Sequence, residues 1–296
     1  MRKFSSFVLP FITVCGLVLS MSSCGGDHQA TETADTSSVA EVSDAPEVFF
    51  QVPLPGEFFS SLKRLGVKSV PQLQNPIDNI SGYTTSTEKA LNFGVYSSDL
   101  FYCSTFDQKA DVLKYFDNLK RLADDLGISS VVNENTMKRI EKNLSKQDSL
   151  NAITDEIFYS ATTALENNGQ GGTLALVIAG GLTESIYLGT RLVNSYTDGS
   201  AAIQLIADQK FPLDNLFGYF EKYPEDTRIA QVAEKIAPLR AVYNSLTEIP
   251  KEAKESTDGR KVLGSETVLM MNADDYKKLS ETAASVRNSI IQTSKK

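Results

Sequence analysis

The sequence predicts an all-α protein: a multi-helix bundle of about eight to ten helices, carried behind a disordered N-terminal tether. Three observations predict it. Apolar residues recur at spacings of three and four from Phe58 to Ile290, the period of one buried helix face. Cap residues and helix-stopping glycines punctuate those runs. The composition also changes sharply near Pro46, where a polar acidic stretch gives way to chain rich in Phe, Leu and Ile.

Arg2 and Lys3 precede an apolar run, Phe7 to Leu19, and Met21, Ser22 and Ser23 lead into Cys24. That is the layout of an export signal over residues 1–23. At about 13 residues the run is too short to cross a ~30 Å hydrocarbon core comfortably. Ser20-Met21-Ser22-Ser23-Cys24 resembles the lipobox of bacterial lipoproteins, with Met21 where that family usually has Leu, Val or Ile. The resemblance implies that residues 1–23 are removed and that Cys24 is the lipid attachment residue, its thiol diacylated and its new amino group acylated. A membrane is then the first partner, and several acyl chains hold firmly because each buried CH₂ contributes about 0.8 kcal/mol. Gly25 and Gly26 follow the cysteine instead of Asp, which in that family implies the outer membrane, on either its periplasmic or its surface face. An ordinary cleaved signal and an uncleaved anchor are the competing readings.

Residues 24–46 read as the lipidated cysteine and an acidic, disordered tether, poor in large apolar residues and free of Lys and Arg. As a flexible coil it would reach roughly 25 to 30 Å. Seven acids and no base fall between 25 and 61; setting them and the two leader cations aside leaves 30 acids against 27 bases. Neither part offers the basic footprint of a nucleic-acid partner.

The helical domain spans 47–296. Pro55 suits a first helical turn, Phe58, Phe59, Leu62 and Leu65 follow, and Gly66 stops the helix. Pro71 and Pro76 make Val67 to Thr84 a loop. Thr85 with Glu88 has capping-box spacing and opens a helix to Phe106 that is apolar or small on most sides, as expected inside a bundle. Asp107 is the expected cap of a partner helix ending at Gly127, antiparallel to the last because the break is short. Asn133 opens a polar helix, and Asp148 another that ends at Asn167-Asn168-Gly169. Gly172 to Tyr196 reads as a central bundle helix; Glu184 and Arg191 end its apolar run short of the ~20 residues of a membrane span. Helices follow around Ala201 to Gln209 and Leu213 to Tyr223, then one from Ile229 to Leu246 that continues, kinked, through Pro238. Residues 248–271 are charged and punctuated by glycine. Tyr276, Leu279, Ala283, Val286 and Ile290 form the seam of the last helix.

Catalytic signatures are few. The single histidine, His28, lies in the tether, which removes histidine-ligated zinc, Ser-His-acid triads and Cys-His dyads from the folded domain. Phosphate-binding, nucleophile-elbow and calcium-loop patterns do not occur, so no metal, cofactor or catalytic residue is expected. Ser60-x-x-Lys63 and Ser86-x-x-Lys89 match a hydrolase pattern without its companion elements. Asp124-Asp125 and Asp274-Asp275 diverge by about 100° on a helix and do not converge on a metal. Cys103, the only thiol left for the folded part, sits among Leu100, Phe101, Tyr102 and Phe106 and reads as a buried, inert sulfur.

One constellation carries chemistry. Asp99 lies in the most apolar early helix, and Glu184 and Arg191 lie seven residues apart on nearly one face of the central helix. If those helices pack together, Asp99 and Glu184 need partners: Arg191, the hydroxyls of Tyr96, Tyr102 or Tyr187, or a bound ligand. All six are candidate ligand-binding residues, against the plainer readings of solvent exposure or a structural ion pair.

The run Asn92-Phe93-Gly94-Val95-Tyr96-Ser97-Ser98-Asp99-Leu100-Phe101-Tyr102, with the helix after it, resembles a stretch of uncharacterised helical lipoproteins of Gram-negative envelopes. It is also similar to imelysins, whose Gly-x-His-x-x-Glu motif has no counterpart here. Gly94, Ser97 and Ser98 are small residues at spacings that let a second helix approach closely. The expectation is a lipid-anchored helical binding or interaction module of the cell envelope, its partner, an envelope protein or a small ligand, unknown. The alternative is a receptor taking a small molecule or polymer between bundle helices, and an enzyme using carboxylates alone comes third. From the lipobox, Cys24→Ser abolishes fatty-acid labelling and releases the protein from membranes or leaves an unprocessed precursor; equal metabolic labelling of the variant would refute the anchor.

Overall fold

Apolar spacing becomes ten α-helices among the described residues, which are 55–250 and 267–293 of the computed structural model. In chain order they are α1 (Pro55–Arg64), α2 (Ser86–Thr105), α3 (Lys109–Asp125), α4 (Glu134–Asn143), α5 (Gln147–Asn167), α6 (Gly171–Leu192), α7 (Ala201–Ala207), α8 (Lys210–Phe220), α9 (Thr227–Asn244) and α10 (Ala273–Ile291). A 3-10 helix, Ile77–Gly82, interrupts the connection between α1 and α2. Two short strands, β1 (Thr247–Pro250) and β2 (Thr267–Met270), pair antiparallel with Thr247 opposite Met270. The protein is therefore the all-α bundle its sequence predicts. The leader over 1–23, Cys24, the tether to residue 46 and most of the charged stretch 248–271 lie outside the described residues.

Capping follows side-chain chemistry. Thr85 and Glu88 form a reciprocal capping box at α2, and Asn272 with Asp275 does the same at α10. Asn133, Ser200 and Asp226 cap α4, α7 and α9 by accepting from backbone N–H groups. Two expected caps are corrected. Asp107 adopts a positive φ of 63°, a left-handed turn that Asp tolerates, and α3 starts after Gln108. Asp148 sits inside the first turn of α5, where a carboxylate complements the helix dipole, and Lys146 holds the cap position. α9 runs unbroken through Pro238.

At the centre, α2 and α6 make the most extensive helix pair of the molecule. Every residue of α2 from Ala90 to Thr105 is buried, which is why that helix shows no polar stripe. α6 is long and apolar enough to cross a membrane by length and composition, yet most of it is buried in the bundle. α3, α1 and α5 cover α2, while α10, α8 and α9 close over α6. The expected close approach is made by Gly94 together with two glycines of α6. A Cβ on Gly94 would run into the carbonyl of Val177 and come within 2.6 Å of the Gly181 nitrogen; one on Gly180 would run into the carbonyl of Leu91. Ser98 adds a 2.8 Å hydrogen bond to the Gly181 carbonyl.

This backbone-on-backbone contact leaves no flexible side chain to yield. Gly94→Ala should therefore destabilise the fold by at least about 3 kcal/mol, the upper part of the range for overpacking. Gly127→Ala is the control: its Cβ would meet nothing, and only the positive φ of 75° opposes it, for about 1 to 2 kcal/mol. Urea melts that rank the two variants equally would show that the helices separate easily.

Candidate functional site

The close approach of α2 and α6 brings two carboxyls together in the core. Asp99 on α2 and Glu184 on α6 are both fully shielded from solvent and close enough for each to shift the other's ionisation. Arg287 of α10 binds Glu184 through two bonds, Nε to Oε2 at 2.8 Å and Nη2 to Oε1 at 3.1 Å. Its remaining contacts are an Nη2 bond to the Leu73 carbonyl at 3.2 Å and a guanidinium lying 4.6 Å from the ring centroid of Tyr187. Asp99 Oδ2 accepts from the Asn75 backbone N–H at 3.1 Å, while Oδ1 accepts from no donor among the described residues.

One guanidinium faces two buried carboxyls, so the charges balance only if one carboxyl keeps its proton. Burial pushes the Asp99 carboxyl well above the ordinary range, the Glu184 charge pushes it further, and Arg287 opposes both. Burial also raises Glu184, but its two bonds to Arg287 counter that shift. Asp99, which has no bond to Arg287 and whose carboxyl is pushed up further, is the member of the pair that keeps the proton. Burial disfavours the charge of Arg287, yet Glu184 and Asp99 together more than offset it and raise its pKa.

Around this group, side chains satisfy the backbone of a strap, residues 67–83, that has little secondary structure of its own. Tyr102 OH donates to the Val70 carbonyl at 2.7 Å and accepts from the Val70 N–H at 2.9 Å. Tyr115 OH donates to the Asn75 carbonyl, Tyr96 OH to that of Pro76, and Asn118 Nδ2 to that of Ile77. Gln74, Asn75, Ile80 and Tyr83 are the buried residues of this strap, and where its backbone turns toward the core protein donors take the place of water. Tyr83 OH and Asn92 Nδ2 donate to the carbonyls of Ile291 and Ile290, at the end of α10. Burial raises the phenol pKa of Tyr83, Tyr96, Tyr102 and Tyr115, which keeps all four as donors.

The structure thus brings Asp99 and Glu184 together, as expected for packed helices, but corrects the partner. Arg191 is half-buried, with its guanidinium 5.5 Å from the Tyr187 ring centroid, and Arg287 makes the ion pair. Arg287 lies four residues after Ala283 and three before Ile290, on the buried stripe of α10; an arginine at a seam position is the signal that could have found it. Asn75 and Asn92, both fully buried, carried no sequence signal as short polar residues. The Ser-x-x-Lys lysines have structural partners: Lys63 Nζ donates to the Thr105 carbonyl, and Lys89 pairs with Asp125. Cys103 is buried, accepts from Gln74 at 3.3 Å, and has its thiol pKa pushed up by burial.

None of the six candidate residues lines any of the three main clefts. One cleft, of about 170 Å³, opens between α1, α5, α6, α7 and the start of α8. Phe58, Phe158, Ile178, Leu182 and Leu205 form its walls, and Glu57 is its one charged lining group among the described residues. The second is an open polar depression between the 3-10 helix and α3, and the third is a slot of about 80 Å³ beside β2. No family model, curated protein or solved structure matches the chain.

The acid pair makes stability depend on pH. The folded value of Asp99 is raised above its ordinary 3.8, so its contribution is complete below that value and is lost as pH rises toward the folded value. Wild-type stability should fall across that window by up to about 1.4 kcal/mol per pH unit from this group. Asp99→Asn keeps a donor toward Glu184 and an acceptor for Asn75 without titrating, and should flatten the fall. Arg287→Met orphans Glu184 and should cost about 3 to 5 kcal/mol. Urea melts between pH 4 and 9 measure both, and an unchanged slope in Asp99→Asn would place the proton elsewhere.

Proposed function

We propose that this chain is a lipid-anchored binding protein of the cell envelope, with Cys24 as its anchor and the apolar cleft of the helical domain as its binding element. The anchor rests on the lipobox-like segment before Cys24 and the acidic tether after it. The observation that carries the binding role is the cleft, a concavity walled by aromatic and aliphatic side chains with a few polar groups at its edge. Its size favours a small ligand, since an apolar cavity of about 150 Å³ accommodates a benzene-sized molecule. A docking surface for an envelope protein has less support: Leu65, Tyr159 and Phe211 are exposed apolar residues in separate parts of the fold, and Ile249 and Met270 are a pair of neighbours on the small β1–β2 sheet.

The cleft is testable with 1-hexanol as a neutral probe on residues 24–296 carrying Cys24→Ser. The probe should raise the melting temperature in a saturable way. Leu182→Trp, at a half-buried wall position, should abolish the rise while leaving the unliganded protein folded. An equal response in wild type and Leu182→Trp would refute binding in this cleft.

A further inference from the structure

The edge of the same cleft carries a charge pattern that selects among small ligands. Glu57, exposed in the first turn of α1, is the cleft's one charged lining group among the described residues, and it forms no ion pair with any of them. A second carboxyl stands behind it. Asp155 lies one turn before the wall residue Phe158 on α5, and its Oδ1 is shut off from solvent without a hydrogen-bond donor. That oxygen abuts the first turn of α1, 2.7 Å from where a Cβ on Gly56 would stand. Burial and, after it, the negative charge of Glu57 raise the Asp155 carboxyl above its ordinary range. No Lys or Arg among the described residues pairs with either acid.

Glu57 at the edge of the slot and Asp155 behind it, outside the lining, are like charges whose mismatch packing alone leaves unrelieved. A neutral ligand would leave it as it is, and an anion would add to it. A cation at the slot's edge would relieve it, because it is attracted to both carboxylates. Beyond Glu57 the slot is walled mainly by apolar side chains, with Ser61, Ser185 and Gln209 as its polar lining, so such a cation needs a hydrocarbon body.

We propose that the cleft binds a small organic amine, whose alkyl or aryl body of about six to eight carbons lies between Phe58, Phe158, Ile178 and Leu182 and whose ammonium faces Glu57, with Asp155 adding a second negative charge behind it. The proposal rests on the binding role assigned to this cleft and names the ligand class it takes. It requires no chemical step.

The test compares three probes of one length, hexylammonium, 1-hexanol and hexanoate, titrated onto residues 24–296 with Cys24→Ser at neutral pH. Hexylammonium should bind about twofold to fivefold tighter than 1-hexanol, the range available to an exposed carboxylate partner, and hexanoate should bind weakest. Added salt should erode the preference for the amine and leave 1-hexanol unchanged. Glu57→Gln should bring hexylammonium down to the level of 1-hexanol without altering 1-hexanol itself, and Asp155→Asn should lower it in part. If hexylammonium and 1-hexanol bind equally, or if Glu57→Gln keeps the preference, the amine inference is overturned while the cleft stands. If none of the three binds, the cleft reading fails and takes this one with it.

Discussion

The structure depends on the contact of two helix backbones. Where Gly94 of α2 meets Val177 and Gly181 of α6, and Gly180 meets Leu91, no side chain separates the helices. Close packing there leaves no room for water, so every polar side chain on the facing surfaces must find a protein partner. Asp99 lies five residues beyond Gly94, and Glu184 four beyond Gly180. Both are carried into the same dry space by the contact that excludes solvent from it. Ser98, bonded to the Gly181 carbonyl and the Ser185 hydroxyl, is satisfied across the same seam.

That constraint explains the reach of Arg287. A lone carboxylate in such a place would be expelled or protonated, and two would repel, so one proton and one guanidinium are the smallest set that balances the charge. The guanidinium comes from α10 near the end of the chain and also holds the Leu73 carbonyl, which links the C-terminal helix to the strap near the beginning of the domain. Loop closure over such a sequence separation is unfavourable. The buried pair makes the arrangement specific: without α10 in register, Glu184 is an unpaired buried charge, and without the strap, Asp99 Oδ2 loses the Asn75 N–H. The tyrosines that lie near the carboxyls belong to the same structural set. Tyr96, Tyr102 and Tyr115 supply donors to the strap carbonyls of Pro76, Val70 and Asn75.

Much of the fold was legible because helices announce themselves locally. Thr85 with Glu88, Asn133, and the stops at Gly66, Gly127 and Gly169 need only neighbours within a turn, and the three-and-four spacing of apolar residues identifies each buried face. Gly94 and Ser98 signalled a close helix contact for the same local reason. What stayed hidden depends on distance. Arg191 was the nearer cation in sequence, seven residues from Glu184, but the pair is made by Arg287, 103 residues away. Asn75 and Asn92 look like ordinary loop and helix residues until the strap is laid over α2. Asp107 was read as a cap because its side chain suits one, yet its backbone turns left-handed and Gln108 takes the place. The cleft left no trace in the sequence, because its walls come from five separate helices.

α6 keeps the two parts of the domain distinct. Ile178, Leu182 and Ser185 recur at spacings of four and three on the side that lines the cleft, whereas Glu184, two residues from Leu182, projects about 200° away toward Asp99 and Arg287. One helix therefore has an inner side fixed by glycine contacts and a charge-balanced ion pair, and an outer side left partly open. Fixing the inner side holds the wall of the cleft in place before any ligand arrives, which lowers the ordering cost that binding would otherwise carry. Ser185 joins the two sides, lining the cleft while its hydroxyl is bonded to Ser98 across the seam. An event in the cleft that moved α6 would have to break the backbone contact at Gly94 and the Glu184 to Arg287 pair together. The bundle is thus built to hold the cleft rigid, and under the proposed binding role selectivity falls to the groups at its edge.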